Sequence, residues 1–223
     1  MILDQIPFQP DREALMQRLH IKPGSSDASE FAELVQQAQT IAKPKVVFQQ
    51  AAITERNHDE LLIGGSQFNS RVLRINLQDT QQVFIYVATC GVELEAWANQ
   101  LTDMIHSFWS GAIREAALYA ATDHLGIYLD EYYHLGHLST MHPGSLTDWP
   151  ITEQRPLFDL LGDVKGAIGV ELTGSLLMVP TKSVSGITFP TEADFQSCQL
   201  CQREDCPNRL APYDEMLYEQ KYR

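Results

Sequence analysis

The stretch MVPTKSVSGITF at residues 178–189 decides how the second half of the chain is expected to fold. After Lys182 its polar and apolar side chains alternate, a pattern typical of a β-strand that buries one face. Two further β-type segments precede it, at 167–172 and 175–179. We predict that all three are strands of a mostly antiparallel sheet.

Other strand-type patterns occupy the middle of the chain, at 46–48, 51–53, 61–63, 72–77 and 83–88. The last of these reads VFIYVA and fits a central strand, because it is both β-branched and aromatic. Helical periodicity is found at 11–19, 26–43, 93–133 and 152–161. Gly111 and Gly126 are expected to interrupt the longest of these helices.

Together these elements predict an α+β fold in which helices pack on a mostly antiparallel, twisted sheet. We divide the chain into a helical N-terminal segment at 1–43, an α+β core at 44–190 and a cysteine-containing tail at 191–223. No long linker rich in proline, serine or glycine separates these parts.

The composition favours a soluble, cytoplasmic protein. Of the 223 residues, 44% are hydrophobic, and the formal net charge is −13. So acidic a surface repels phosphate backbones, which argues against a nucleic-acid partner. No apolar run is long enough to cross a bilayer, and the N-terminus lacks the pattern of a signal peptide, so no membrane or secretory location is expected.

Three cysteines lie close together in the tail: Cys198, Cys201 and Cys206. A C-x2-C pair lets two thiolates converge on one metal ion, and a third cysteine after four intervening residues can close the site. Thiolate ligands at this spacing suit zinc or an iron–sulfur cluster, and the residues alone leave both open.

Either centre usually needs a fourth ligand. Cys90 is the remaining cysteine and follows a predicted strand, which is a good position for a ligand. A role for Cys90 as a small buried residue of the core is an equally good interpretation. The alternative ligands are histidines: His124, His134, His137 and His142.

A polar loop that begins at His137 contains HPGSLTDWP at 142–150. A helix ending LFDLL follows, then IGVELTGS at 168–175 and MVPTKSVSG at 178–186. This order resembles the C-terminal half of the activation domain of cobalamin-dependent methionine synthase. That family has a Pro-Gly-Tyr loop, a helix, a Leu-Thr-Glu-Ser strand and a Met-x-Pro-x-x-Ser-Val-Ser-Gly segment. The resemblance covers about residues 140–189.

The resemblance implies a domain that binds S-adenosylmethionine and docks onto a cobalamin-carrying domain or protein. In that family, an electron from a flavoprotein and a methyl group from S-adenosylmethionine return inert Co(II) cobalamin to methylcobalamin. The resemblance identifies no catalytic residue. The residues that it and the neighbouring polar groups suggest for ligand contact are His142, Pro143, Gly144, Ser145, Lys182 and Ser183.

Three positions depart from the family pattern. Thr140 stands where the family has an arginine that contacts the ligand carboxylate, Ser145 replaces the tyrosine, and Gly174 replaces the glutamate. A bidentate carboxylate clamp is therefore missing, as is a ring that would pack on the ligand.

Three functions are compatible with these features. The first is a reactivation factor, in which an iron–sulfur centre in the tail would relay the electron. The second is a non-catalytic module that binds a corrinoid protein and uses the cysteines as a structural zinc site. The third is a methyltransferase with an unrelated substrate, for which no glycine-rich fingerprint is present.

Several residues outside the motifs are expected to have structural roles. Trp149 is interpreted as a hydrophobic plug, and Asp148 as the cap of the helix that follows it. Glu93, Glu95 and Glu115 are interpreted as solvated helix charges.

Overall fold

The computed structural model describes residues 1–191, 195–206 and 209–222. These residues form two compact units, each built from three separate stretches of chain. The first unit comprises Met1–Val47, Val87–Tyr128 and Asp163–Val184. The second comprises Phe48–Tyr86, Leu129–Gly162 and the described part of Ser185–Arg223. The division of the chain into segments 1–43, 44–190 and 191–223 stays a prediction.

The strands are β1 (Ile2–Leu3), β2 (Lys45–Arg56), β3 (Glu60–Ile63), β4 (Ser66–Asn69), β5 (Gln82–Thr89), β6 (Leu138–Met141), β7 (Glu171–Leu172), β8 (Met178–Val179) and β9 (Ser183–Pro190). The α-helices are α1 (Arg12–Arg18), α2 (Ser26–Ile41), α3 (Arg71–Asn76), α4 (Val92–Ala98), α5 (Met104–Tyr133), α6 (Gln154–Leu161), α7 (Val164–Ile168) and α8 (Glu215–Leu217). Short helical turns of other types lie at Ile151–Glu153, Ser197–Leu200 and Tyr218–Tyr222.

Seven strands form the main sheet of the described residues. Their order is β4-β3-β2-β5-β9-β6, and β1 pairs with β2. The pairs β1–β2, β2–β3, β3–β4 and β6–β9 are antiparallel. A separate antiparallel pair joins β7 and β8. The predicted α+β class with an antiparallel sheet is confirmed.

The first unit has a helical core. Helix α1 begins where expected, and the side chain of Asp11 accepts a hydrogen bond from the N–H of Ala14 (3.0 Å). Helix α2 begins slightly earlier than predicted: its cap is Ser25, which accepts from the N–H of Ala28 (3.2 Å), rather than Ser26 or Asp27. Phe31 of α2 is fully buried, and its ring meets that of Trp109 edge to face at 5.7 Å between centroids.

The long helical region at 93–133 was predicted with breaks at two glycines, and that detail is wrong. Helix α5 continues through Gly111 and Gly126, and the interruption instead lies between α4 and α5. There the carboxylate of Asp103 accepts hydrogen bonds from the N–H groups of Ile105 (2.8 Å) and His106 (2.9 Å). This cap defines the start of α5.

Two predicted strands are partly or wholly helical. Residues 71–76 form α3, whose first turn is capped by Ser70: its hydroxyl accepts from the N–H of Leu73 at 2.9 Å. The segment at 167–172 begins as the end of α7, which Asp163 caps and Gly169, with φ of 80°, terminates. In both segments a side-chain cap outweighs weak β-type patterning.

The second unit buries large aromatic residues around its part of the sheet. Phe48, Phe68, Phe84, Trp149 and Phe189 are almost completely inaccessible to solvent. In the described residues no helix combines the length and apolar character needed to span a membrane.

Candidate functional site

The loop at 142–150 is folded back on itself in the second unit. The N–H of Gly144 donates to the carbonyl of Trp149 (2.7 Å), and the N–H of Trp149 donates to the carbonyl of Leu146 (3.1 Å). Gly144 has φ of 85°, and a Cβ atom there would lie 2.8 Å from Cδ1 of Ile151. The Pro-Gly turn therefore requires glycine for both backbone conformation and space.

His142 joins this loop to strand β9. Its Nδ1 lies 3.1 Å from the carbonyl oxygen of Ser185, and its ring meets that of Tyr86 edge to face at 6.4 Å. Because a carbonyl only accepts, Nδ1 carries the proton. Burial lowers the pKa of His142, although the bond to Ser185 acts in the opposite direction. The imidazole is therefore neutral near pH 7.

Gly186 explains why β9 can lie so close to the loop. A Cβ atom on Gly186 would lie 2.9 Å from Nδ1 of His142, 2.9 Å from the carbonyl oxygen of Met141 and 3.0 Å from the ring of Tyr86. The glycine of the Ser-Val-Ser-Gly segment thus provides the room that the His142 ring occupies.

Asp148 caps a helix, but a different one from the helix predicted. Its carboxylate accepts hydrogen bonds from the hydroxyl of Ser70 and from the N–H of Val72 (3.0 Å) at the start of α3. A carboxylate at a helix N-terminus is stabilised by the helix dipole and by the unpaired N–H groups. The following helical region instead begins with the turn at Ile151–Glu153.

The exposure of the predicted contact residues differs along the loop. Pro143 is buried and His142 is half-buried, whereas Gly144 and Ser145 are exposed. Trp149 is fully buried, which agrees with its interpretation as a plug, and its Nε1 has no hydrogen-bond partner among the described residues. The turn at Gly144 and Ser145 is therefore accessible, as are Thr147 and Pro150.

Lys182 and Ser183 belong to the first unit and are engaged within it. The Nζ of Lys182 lies 3.4 Å from Oε2 of Glu115, and the same carboxylate oxygen binds Arg18 at 3.0 Å. The hydroxyl of Ser183 donates to the carbonyl of Pro180 at 2.8 Å and lies 2.9 Å from Oγ1 of Thr89. Contrary to expectation, Glu115 is a largely buried ion-pair centre rather than a solvated charge.

The three tail cysteines are half-buried, unbridged thiols in the second unit. The guanidinium of Arg209 donates to the carbonyls of Cys198 (3.0 Å), Cys201 (3.2 Å) and Arg203. The N–H of Leu210 lies 3.4 Å from Sγ of Cys198. Arg209 therefore fixes the backbone around the C-x2-C pair, a role that its position in the sequence did not indicate.

The described residues contain no group of three or more His, Cys, Asp or Glu side chains arranged to hold a metal ion. Cys90 lies in the first unit, fully buried, and burial is the largest of the effects that raise the pKa of its thiol to about 12. A metal ligand must be the thiolate, so this burial opposes the role of a fourth ligand. The metal site stays a prediction that this arrangement does not support.

A cavity of 520 Å³ adjoins the loop in the second unit. One wall is formed by residues 145–148 with Val72, and the other by residues 200–202 with Tyr213, Asp214 and Tyr218. Asp214 caps α8, since its Oδ1 accepts from the N–H groups of Met216 (3.0 Å) and Leu217 (3.1 Å). Sequence patterns singled out Cys201 only as a metal ligand, and they did not indicate Tyr213, Asp214 or Tyr218, which belong to no recognisable motif.

The fold is of the α+β class, and comparisons with known proteins give its relatives. The chain is similar to the crystal structure of the MetH reactivation domain bound to AdoHcy, with a TM-score of 0.63 and 15% sequence identity. The match covers 88% of this chain and 81% of that one. At this identity the likeness shows a shared fold.

Residues 142–209 match the family model described as vitamin B12 dependent methionine synthase, activation domain. The matched region starts at His142 and includes the loop, the Ser-Val-Ser-Gly strand and the tail cysteines. No curated protein matches the sequence. The resemblance predicted from the sequence is therefore confirmed in both sequence and fold.

Proposed function

We propose that this chain reactivates a cobalamin-dependent partner by helping to methylate its cobalamin, with S-adenosylmethionine as the methyl donor. The observation that carries the proposal is the family match over residues 142–209, which begins at the Pro-Gly loop and spans the strand on which that loop packs. We place the reaction in the cytoplasm, where unbridged thiols such as those of the tail are maintained.

The proposed reaction has two balanced steps on the partner's cobalamin, which is the substrate. A one-electron reductant, such as a reduced flavoprotein, converts Co(II) to Co(I). Co(I) then attacks the methyl carbon of the sulfonium, so that a Co–C bond forms, the C–S bond breaks, and the electron pair of that bond stays on the departing thioether. The second step consumes Co(I) and draws the unfavourable reduction forward.

The chain's own task in this reaction is to hold the methyl donor and present it to the partner. The exposed turn at Gly144 and Ser145 offers backbone groups and a hydroxyl, and His142 holds the turn against β9 as a neutral ring. Thr140 cannot act as the family's cationic clamp, and its Oγ1 lies 2.9 Å from that of Thr188 within the sheet. Lys182 belongs to the first unit, where its Nζ lies 3.4 Å from Oε2 of Glu115, and it stays a separate candidate contact for an acidic group.

The proposal is tested with the cobalamin-binding domain of a methionine synthase, prepared in the Co(II) state. With a chemical one-electron reductant and S-adenosylmethionine, the chain should convert the optical spectrum to that of methylcobalamin. A spectrum that stays that of Co(II), or conversion at the same rate without the chain, would overturn the proposal.

A loop variant sharpens this test. Ser145→Lys should slow methylation about fivefold when donor is limiting, because a positive charge about 4 Å from the sulfonium repels it by about 1 kcal/mol in water. Ser29→Lys, on the exposed face of α2, is the matched control and should leave the rate unchanged.

A further inference from the structure

The 520 Å³ cavity beside the loop has a distinctive set of walls. Among its lining residues that the structure describes, the charged ones are two aspartates, Asp148 and Asp214, and no lysine or arginine is present. Both carboxylates also cap helices, α3 and α8, and the described walls hold no cationic side chain that would bind an anion, so a cation is the better match in charge.

Two tyrosines complete the same cavity. Tyr213 and Tyr218 each expose 43% of their surface, so their rings are accessible rather than packed away. The face of an aromatic ring attracts organic cations, and paired or clustered rings are a recurrent means of binding methylated ammonium groups. Sulfonium ions have the same charge and a similar shape.

The tail wall is anchored to the second unit. Tyr222 is fully buried; its hydroxyl lies 2.7 Å from Oδ1 of Asn76, and Nε of Arg71 donates to its carbonyl at 2.6 Å. The N–H of Asp214 donates to the carbonyl of Gln199 at 2.8 Å. The segment that carries Tyr213 and Tyr218 is therefore held by hydrogen bonds near both of its ends, at Asp214 and at Tyr222.

We propose that this cavity binds the sulfonium of S-adenosylmethionine, with Tyr213 and Tyr218 supplying from the tail the ring that Ser145 does not supply from the loop. The inference rests on the proposed function for the identity of the donor. The volume of the cavity suits a small ligand, since ligand pockets commonly measure about 300–1,000 Å³. Loop residues 145–148 form the opposite wall, so one ligand can contact both segments.

Calorimetric titration of the full chain with three probes tests this inference. S-adenosylmethionine and trimethylsulfonium carry a charged sulfur, whereas AdoHcy has a neutral thioether. Wild type should bind S-adenosylmethionine about 2- to 30-fold more tightly than AdoHcy, the range expected for a cation over aromatic faces. The double substitution Tyr213→Leu with Tyr218→Leu should abolish this preference.

Two controls separate the ring from other effects. Tyr213→Phe with Tyr218→Phe keeps both rings and should retain the preference. Tyr132→Leu removes an exposed tyrosine of α5 that does not line the cavity and should leave all three affinities unchanged.

The outcomes distinguish this inference from the proposed function. If S-adenosylmethionine binds but the double leucine variant behaves like Tyr132→Leu, the cavity assignment is wrong and the proposed function stands. If trimethylsulfonium binds in a tyrosine-dependent way but S-adenosylmethionine does not, the cation cavity stands and the proposed donor is wrong. Binding of neither sulfonium overturns the cavity assignment, and the cobalamin assay then decides the function separately.

Discussion

Nδ1 of His142 lies 3.1 Å from the carbonyl oxygen of Ser185, and this contact ties the Pro-Gly loop to the strand that carries Ser-Val-Ser-Gly. Two motifs far apart in sequence thus form one unit of structure. The ring also packs on Tyr86, and Gly186 leaves room for it. The accessible turn at Gly144 and Ser145 is positioned by these contacts.

Replacing His142 with alanine should lower the free energy of unfolding by about 2–4 kcal/mol, since it removes a hydrogen bond and leaves a cavity against Tyr86. Denaturant titration measures this change. His58→Ala, at an exposed histidine, should change it by less than about 0.5 kcal/mol. A His142 variant as stable as the His58 control would show that the loop does not depend on this ring.

The same residue predicts a pH effect. Burial lowers the pKa of His142 in the folded chain, whereas an unfolded histidine titrates at about 6.5. Below that pH the unfolded state takes up a proton that the folded state does not, so stability falls as pH falls. The difference in unfolding free energy between wild type and His142→Ala should therefore shrink from pH 7.5 toward pH 5, and a constant difference would argue against the buried neutral ring.

Gly186→Ala should destabilise the chain by about 1–3 kcal/mol, because its Cβ would press on the His142 ring and the carbonyl of Met141. Gly111→Ala is a control, for which the expected change in the free energy of unfolding has the opposite sign. Gly111 lies inside α5 with open space around it, so alanine should stabilise by about 0.4–1 kcal/mol. Thermal unfolding of the two variants compares them directly; equal effects would contradict the close approach at β9.

Asp148→Asn should destabilise by about 1–2 kcal/mol, because it weakens the charged cap on α3. Asp159→Asn, at an exposed position on α6, is the matched control and should have little effect. Hydrogen exchange of the backbone amides of α3 measures how much of the lost stability is local to this helix. Unchanged exchange there would mean that the Asp148 contact does not hold the helix.

The tail cysteines yield a separate prediction. If they bind zinc or an iron–sulfur cluster, protein purified without oxygen should contain about one centre per chain, and Cys198→Ala should remove it. Colour with visible absorbance indicates iron–sulfur, whereas a colourless metal-containing protein indicates zinc. Absence of both metals ends this hypothesis and leaves Arg209 as the feature that orders the tail.

The sequence predicted those parts of the molecule that depend on local patterns or on motifs. The strand character of β9, the N-terminal helices and the glycine turn of the loop all follow from side-chain type and spacing. The neighbours of β9, which are β5 and β6, do not. Residues 71–76 were mistaken for a strand because their helix depends on Ser70 and on the distant Asp148. The ion pairs of Glu115 and the cavity tyrosines also depend on tertiary contacts, which no local pattern records.

The most direct test of the account follows the methyl group itself. S-adenosylmethionine labelled with ¹³C in its methyl group is incubated with the chain, a chemical reductant and a Co(II) cobalamin domain, and the cobalamin is examined by NMR. The account predicts a labelled methyl group on cobalt that forms only when the chain is present. Label that stays entirely on sulfur, while the cobalt is reduced to Co(I), would contradict it.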